Sequence, residues 1–271
     1  MRKYLASQAF GRRSGEPPTG PIPAVCLATG LVLASRAMSG TESTTPADLP
    51  HSSGSDAHSI TKAMTPVMQE ARRQQLIAAT VRIIARHGFS NTTLAKVAQD
   101  AGLSPGIVNF YFTSKDQLLI AVLKSLSDEF MGKLEHALAE SGVDPAENLR
   151  ALIAAILDPG LSQADKVAVW YAFWGEAGAR GEYMRLCGER DEAYHRALLA
   201  LCRQLAEEAP EGRGPDPDAV TWALTGLLDQ LWQEIMARPE TFDRREAHRL
   251  AEAFLAAVFP WRFERPEARR G

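Results

Sequence analysis

The stretch that most limits what this chain can fold into is "NTTLAKVAQDAGLSPGIVNFYF", from Asn91 to Phe112. Leu94, Val97 and Ala98 fall on one face of a short helix that Thr92 or Thr93 can cap. Gly102 makes the turn, Ser104 caps a second short helix, and Pro105 takes its first position. Two short helices joined through a glycine-containing turn, with small apolar Ala98 and Leu103 where they cross, form a helix-turn-helix.

The second helix is only a few residues long, so whatever it presents to a groove must be dense. Val108 and Phe112 are expected to pack inward. Pro105, Gly106, Asn109, Phe110 and Tyr111 face outward or partly outward, with Phe110 open to either role. An Asn can bind adenine through two hydrogen bonds in the major groove, and an aromatic can meet a thymine methyl. Gly106 allows close approach, and the Tyr111 hydroxyl is placed for a phosphate. Lys115 follows, at the start of a helix that Ser114 caps, where the positive helix end and the ammonium together favour phosphate. Thr92, Thr93 and Ser104, at the helix starts, complete the DNA-facing set. Arg72 and Arg73 join it from the helix before.

That preceding helix is read from "QEARRQQLIAATVRIIARHG". Leu76, Ile77, Thr80, Val81, Ile84 and Ala85 recur at three- and four-residue steps, and Gly88 ends the run with a left-handed cap. The same periodicity continues to the end of the chain. Leu and Ala dominate while Val and Tyr are sparse, so the fold class is all-α. Further helices are expected over about 115–140, from Pro145 behind an Asp144 cap with Glu147 closing a capping box, from Ser162, from Gly181 to about 209, and over about 217–238 and 243–258.

Charge divides the chain. Residues 69–124 carry seven Lys and Arg against three Asp and Glu, whereas residues 125–271 carry 17 against 26. A small basic module precedes a larger acidic one, and only the first suits a polyanion. The chain has three cysteines, Cys26, Cys187 and Cys202, widely spaced and without a CxxC. This fits a reducing cytoplasm and argues against a disulfide scaffold or a cysteine zinc site.

Residues 1–68 are rich in Ser, Thr, Pro, Gly and Ala and are expected to be a disordered extension. Within them Ala24–Ala34 is an apolar run behind Arg2, Lys3, Arg12 and Arg13, the order found in a signal peptide. It is too short to span a membrane. Translation starting at Met38, Met64 or Met68 is the simpler reading, and no membrane partner is expected.

The second module contains "VAVWYAFWGEAG". Trp170 and Trp174 lie one turn apart with Phe173 beside them, and Asp229 and Trp232 are three residues apart on a later helix. Aromatic faces with a carboxylate can cage a quaternary ammonium. A tryptophan stripe at helical spacing also suits plain core packing.

The skeleton of "ARHGFSNTTLAKVAQDAGLSPGIVNFYFTSKDQLL" resembles the DNA-binding domain of the TetR family of transcriptional regulators. "RRQQLIAATV", "GIVNFYF", "WYAFW" and "LLDQLWQE" resemble its choline-responsive, BetI-type branch over most of residues 70–260. The resemblance implies a cytoplasmic homodimer without cofactor. It would repress genes of choline to glycine betaine metabolism by reading a palindromic operator in double-stranded DNA. It also implies a small-molecule effector, such as choline, held by Trp170, Phe173, Trp174, Asp229 and Trp232. Pairing of the last two helices with those of a second copy would draw on Leu224, Leu227, Leu228, Leu231, Leu250, Phe254, Leu255 and Val258. At Asn109, where the family often carries an aromatic, this chain departs from the pattern.

The expected organisation is a disordered extension over 1–68, a helix-turn-helix domain over 69–118, a helical effector-binding and dimerisation domain over 119–262, and a disordered tail over 263–271. One alternative keeps the DNA-binding module but answers to a drug or a polyamine. Another is a helical-bundle enzyme, since Glu192 and His195 form one ExxH pair. A di-iron site needs a second such pair, and none is found; nor do HExxH or GxxxxGKS motifs occur.

Overall fold

A computed structural model describes residues 65–264, and every regular element among them is helical. The nine α-helices are α1 (Pro66–His87), α2 (Leu94–Ala101), α3 (Pro105–Tyr111), α4 (Lys115–Ser141), α5 (Pro145–Ile156), α6 (Ala164–Gly175), α7 (Ala177–Glu207), α8 (Pro217–Ala237) and α9 (Arg244–Val258). The expectations for residues 1–64 and 265–271 lie outside the described residues.

Local chemistry accounts for the boundaries. Thr65 accepts from the Met68 N–H, and Pro66 opens α1 where its missing N–H has no helical partner to lose. This helix therefore begins three residues ahead of the expected boundary at 69. Gly88, at φ +78°, ends it by donating to the Ile84 carbonyl. Gly102 adopts the left-handed conformation after α2, φ +65°, and donates to the carbonyls of Ala98 and Gln99. Leu103 N–H then bonds Ala98 O at 2.9 Å, which fixes the turn of the helix-turn-helix. Ser114 caps α4 by accepting from Gln117 N–H.

Several expected boundaries move. Asp144 caps α5 by accepting from Ala146 N–H, but Glu147 bonds Arg150 at 2.7 Å instead of closing a capping box. Helix α6 starts at Ala164; Ser162 lies before it, buried, donating to Asp158 O and accepting from Arg244. Helix α7 runs through Gly181 from Ala177.

The basic module packs Val97, Ala98, Val108, Phe112 and Leu118 against the buried face of α1. Helix α1 in turn touches both α4 and α6, so the second module is built directly onto it. The ring contact of Phe89 with Phe173, centroids 5.0 Å apart, reinforces this junction. In the second module α7 packs against α4, α5, α6 and α8, while α9 closes on α5 and α8. The chain after α9 is pinned as well. Trp261 donates to Leu205 O at 3.0 Å, Arg262 bridges Glu208 and Asp144, and Phe263 is buried beneath the Arg150 guanidinium. Phe263, expected in a disordered tail, is a core residue.

Four of the residues assigned to subunit pairing, Leu224, Leu228, Leu231 and Leu255, are buried within the single chain. Leu227, Phe254 and Val258 are partly buried, and Leu250 is exposed.

Candidate functional site

Helix α3 exposes Ser104, Pro105, Gly106, Asn109 and Phe110 along one side. Ser104 stands at the cap position, yet its hydroxyl makes no capping bond. Phe110 is 43% exposed and meets the Tyr111 ring edge-on, centroids 5.2 Å apart. The expected inward pair, Val108 and Phe112, is buried.

Several other residues expected at the DNA prove to work inside the module. Thr92 is buried and donates to Gly88 O at 3.0 Å, locking the loop after α1. Thr93 is the residue that caps α2, accepting from Lys96 N–H. Lys115 Nζ donates to Phe89 O at 2.9 Å and Ser90 O at 3.2 Å, so two of its three ammonium protons go to the α1–α2 loop. The Tyr111 hydroxyl is shut off from solvent and has no hydrogen-bond partner among the described residues. Burial pushes its pKa up, with nearby Arg72 pulling the other way. It is not offered to a phosphate. Arg72 is exposed and donates to Gln75 Oε1 at 2.7 Å. Arg73 lies half over the Phe112 ring, 5.6 Å from its centroid, and 4.0 Å from Glu70.

The second centre is an aromatic set around Phe130 of α4. Its ring lies edge-on to Trp170 of α6 at 6.4 Å, Tyr194 of α7 at 5.8 Å and Trp232 of α8 at 6.0 Å. A cavity of about 20 Å³ sits here, lined by Phe130, Ile156, Tyr194, Thr225, Asp229 and Trp232 among others. That is room for roughly one water. Asp229 and Trp232 share this wall, as their spacing predicts, and Trp170 stands behind Phe130. Phe173 does not belong to it: its ring turns to Phe89. Trp174 lies against Tyr183, centroids 5.5 Å apart.

Polar groups hold the set in place. Trp232 Nε1 donates to Ile156 O at 3.1 Å, and Tyr171 Oη donates to Asp229 O at 3.3 Å. Burial, with the charges of Asp229 and Cys202, pushes the Tyr194 phenol far up, so it stays protonated. Thr225 is buried and its Oγ1 has no hydrogen-bond partner among the described residues. Beyond Trp170, Tyr183 touches both tryptophans and donates to Asp191 Oδ2 at 2.9 Å. Burial lifts the Asp191 carboxyl to about 6, partly offset by that hydrogen bond.

Sequence reasoning missed Phe130, Ile156, Tyr194 and Thr225. Phe130 and Tyr194 each sit on an ordinary amphipathic face, and only the packing of α4 against α7 brings them together. The ExxH pair is otherwise engaged: Glu192 pairs with Arg196 at 2.5 Å and His195 lies against Trp222. Among the described residues no group of three or more His, Cys, Asp or Glu gathers around a common point, and no helix is long and apolar enough to cross a membrane.

Comparison with known proteins covers both modules. Residues 76–122 match the model of bacterial regulatory proteins of the tetR family, and residues 145–260 match that of the BetI-type transcriptional repressor C-terminal domain. The HTH-type transcriptional regulator BetI of Burkholderia thailandensis is 35% identical over 189 residues, covering 69% of this chain and 93% of that protein. Its namesake from Burkholderia lata is 33% identical over 188 residues, covering 69% and 94%. A solved structure of a proposed transcriptional regulator from Pseudomonas aeruginosa PAO1 superposes with a TM-score of 0.62 at 28% identity, covering 77% of this chain and all of that one. Another, from Saccharomonospora viridis and in complex with choline, has a TM-score of 0.58 at 19% identity, covering 69% and 96%, a likeness of fold alone. With a helix-turn-helix built on α1 and a helical module of this type behind it, the chain belongs to the TetR family of bacterial transcriptional regulators and carries the C-terminal domain of BetI-type repressors.

Proposed function

We propose that this repressor acts in the cytoplasm as a homodimer on a palindromic operator and is controlled by choline, or a closely similar quaternary ammonium compound, bound at the Phe130-centred aromatic set. The observation that carries the reading is that Phe130, Tyr194 and Trp232 line one cavity with Asp229, with Trp170 packed against the Phe130 ring behind them. Aromatic faces and a buried carboxylate are the groups that stabilise a cation too weakly hydrated to need hydrogen bonds. The BetI-type domain supports it from the side of ancestry.

The route to DNA follows from the helices involved. A cavity of about 20 Å³ cannot take a quaternary ammonium without moving its rings. Phe130 lies on α4, whose first turn holds the α1–α2 loop through Lys115, and Trp170 lies on α6, which packs on α1. Displacing either ring therefore works on the base of the helix-turn-helix. Two recognition helices in a dimer must meet half-sites about 34–36 Å apart, so a small change in their spacing weakens binding. Effector and operator affinities are then coupled reciprocally, typically by about 1–3 kcal/mol.

The test is fluorescence anisotropy of the protein on the duplex upstream of its own gene, at one stated salt concentration, with and without choline. Saturable, competitor-resistant binding weakened by choline is the expected result. Binding indifferent to choline discards the effector and keeps the repressor.

A second reading, in which the effector is a bulkier drug-like cation or a polyamine, draws on a different observation. A cleft of about 640 Å³ lies between the modules, lined by Phe89, Phe173, Leu119, Asp116, Glu176 and Glu182 among others. A thermal-shift panel of such compounds against choline separates the two.

A further inference from the structure

Thr225 presents a chemical anomaly at the heart of the aromatic set. It is 3% exposed, it lines the cavity, and its Oγ1 meets no donor or acceptor among the described residues. A threonine inside a helix ordinarily satisfies its hydroxyl by donating to the carbonyl four residues back, as Thr80 does to Leu76 O at 2.7 Å and Thr221 does to Pro217 O at 2.7 Å in this same chain. Thr225 does not. A buried hydroxyl left unpaired is costly, and Val would fill the same volume without the penalty. Its place on α8 is one turn before Asp229, which lines the same cavity together with the protonated Tyr194 phenol.

We infer that Thr225 is the residue that selects among effectors, by hydrogen bonding an uncharged hydroxyl carried by the same cation whose ammonium group the aromatic rings hold. This rests on the effector reading given above and narrows it to a class: a small quaternary ammonium alcohol. The carboxylate obtained by oxidising that alcohol is refused. Its negative charge would be brought beside Asp229 in a space with little water, where like charges repel strongly. A cation with an alkyl tail of the same length is disfavoured for another reason, because it leaves the Thr225 hydroxyl unpaired in the complex as well as before it. The site thus distinguishes the alcohol from its own oxidation product.

The experiment measures the dissociation constants of choline, propyltrimethylammonium and glycine betaine by calorimetry, for the wild-type protein and the Thr225→Val and Asp229→Asn variants, together with urea unfolding of each without ligand. Wild type is expected to bind choline roughly tenfold to a hundredfold more tightly than the propyl analogue, the range of one unpaired buried polar group. In Thr225→Val the two cations should bind within about twofold of one another, and the unliganded variant should unfold at the same or higher urea concentration. Asp229→Asn should raise glycine betaine affinity relative to choline. Discrimination between the two cations that survives in Thr225→Val overturns the inference while leaving the effector reading intact. So does a clear loss of stability in that variant, which would mean the hydroxyl is already paired. If neither cation binds the wild type, the effector reading itself falls and takes this inference with it.

Discussion

Lys115 Nζ donates to the carbonyl oxygen of Phe89 at 2.9 Å, joining the first turn of α4 to the loop that closes α1. Its role is therefore one of architecture. Replacing it with Met should destabilise the helix-turn-helix by about 1.5–3 kcal/mol, the range for a hydrogen bond to a charged group. The slope of log affinity against log salt should stay as in wild type, because no phosphate contact is removed. A slope reduced by about one would assign Lys115 to the DNA after all.

Arg72 makes the opposite case. It is exposed at the start of α1, and its hydrogen bond among the described residues goes to Gln75. Arg72→Ala should weaken operator and random duplex to similar extents and lower the salt slope by about one. Anisotropy titrations at three salt concentrations on both duplexes decide it.

Asn109 stands exposed in the middle of the face that α3 presents. Asn109→Ala should cost about 1–3 kcal/mol on the operator and almost nothing on random sequence. A single adenine of the half-site should account for the loss when base pairs are substituted one at a time.

Trp232 Nε1 bonds Ile156 O inside the core, so the indole cannot be exchanged silently. Trp232→Phe keeps a ring but strands the Ile156 carbonyl, and should destabilise the fold by about 1–3 kcal/mol. Chemical unfolding measures this directly. Choline affinity should fall in the same variant, since Trp provides the strongest of the aromatic faces for a cation.

The Asp191 carboxyl titrates near 6, against an ordinary value of 3.8, because it is buried. The folded chain then holds this proton more tightly than the unfolded chain does. Stability should therefore fall as pH rises from about 4 to 6, by roughly 2–3 kcal/mol from this group. Asp191→Asn keeps an acceptor for Tyr183 and should flatten that part of the profile. Urea midpoints at half-unit steps of pH, compared between the two proteins, give the answer.

The helix-turn-helix was legible because its signals are local: a capping Thr, a left-handed Gly102, a Pro105 at the helix start. The same locality explains what was missed. The helix start at Lys115 is visible in sequence, whereas its partners, the carbonyls of Phe89 and Ser90, lie about 25 residues away and are joined to it only by the fold. Helical spacing placed Trp170, Phe173 and Trp174 together. It could not show that Phe173 turns to Phe89, because α6 is buried on more than one side, by α1 and α8 as well as α7. Phe130 and Tyr194 carried no local mark at all, and neither did the unsatisfied hydroxyl of Thr225, which is a property of its neighbours.

The tight closure of the aromatic cavity bears on timing. At about 20 Å³, the space holds nothing larger than a water until its rings part. If this cavity is the effector site proposed above, the effector enters only as the rings part, and its association rate saturates at that frequency however concentrated it becomes. The same closure slows escape. A regulator built this way averages over brief swings in effector level, and its response time is set by its own core rather than by diffusion.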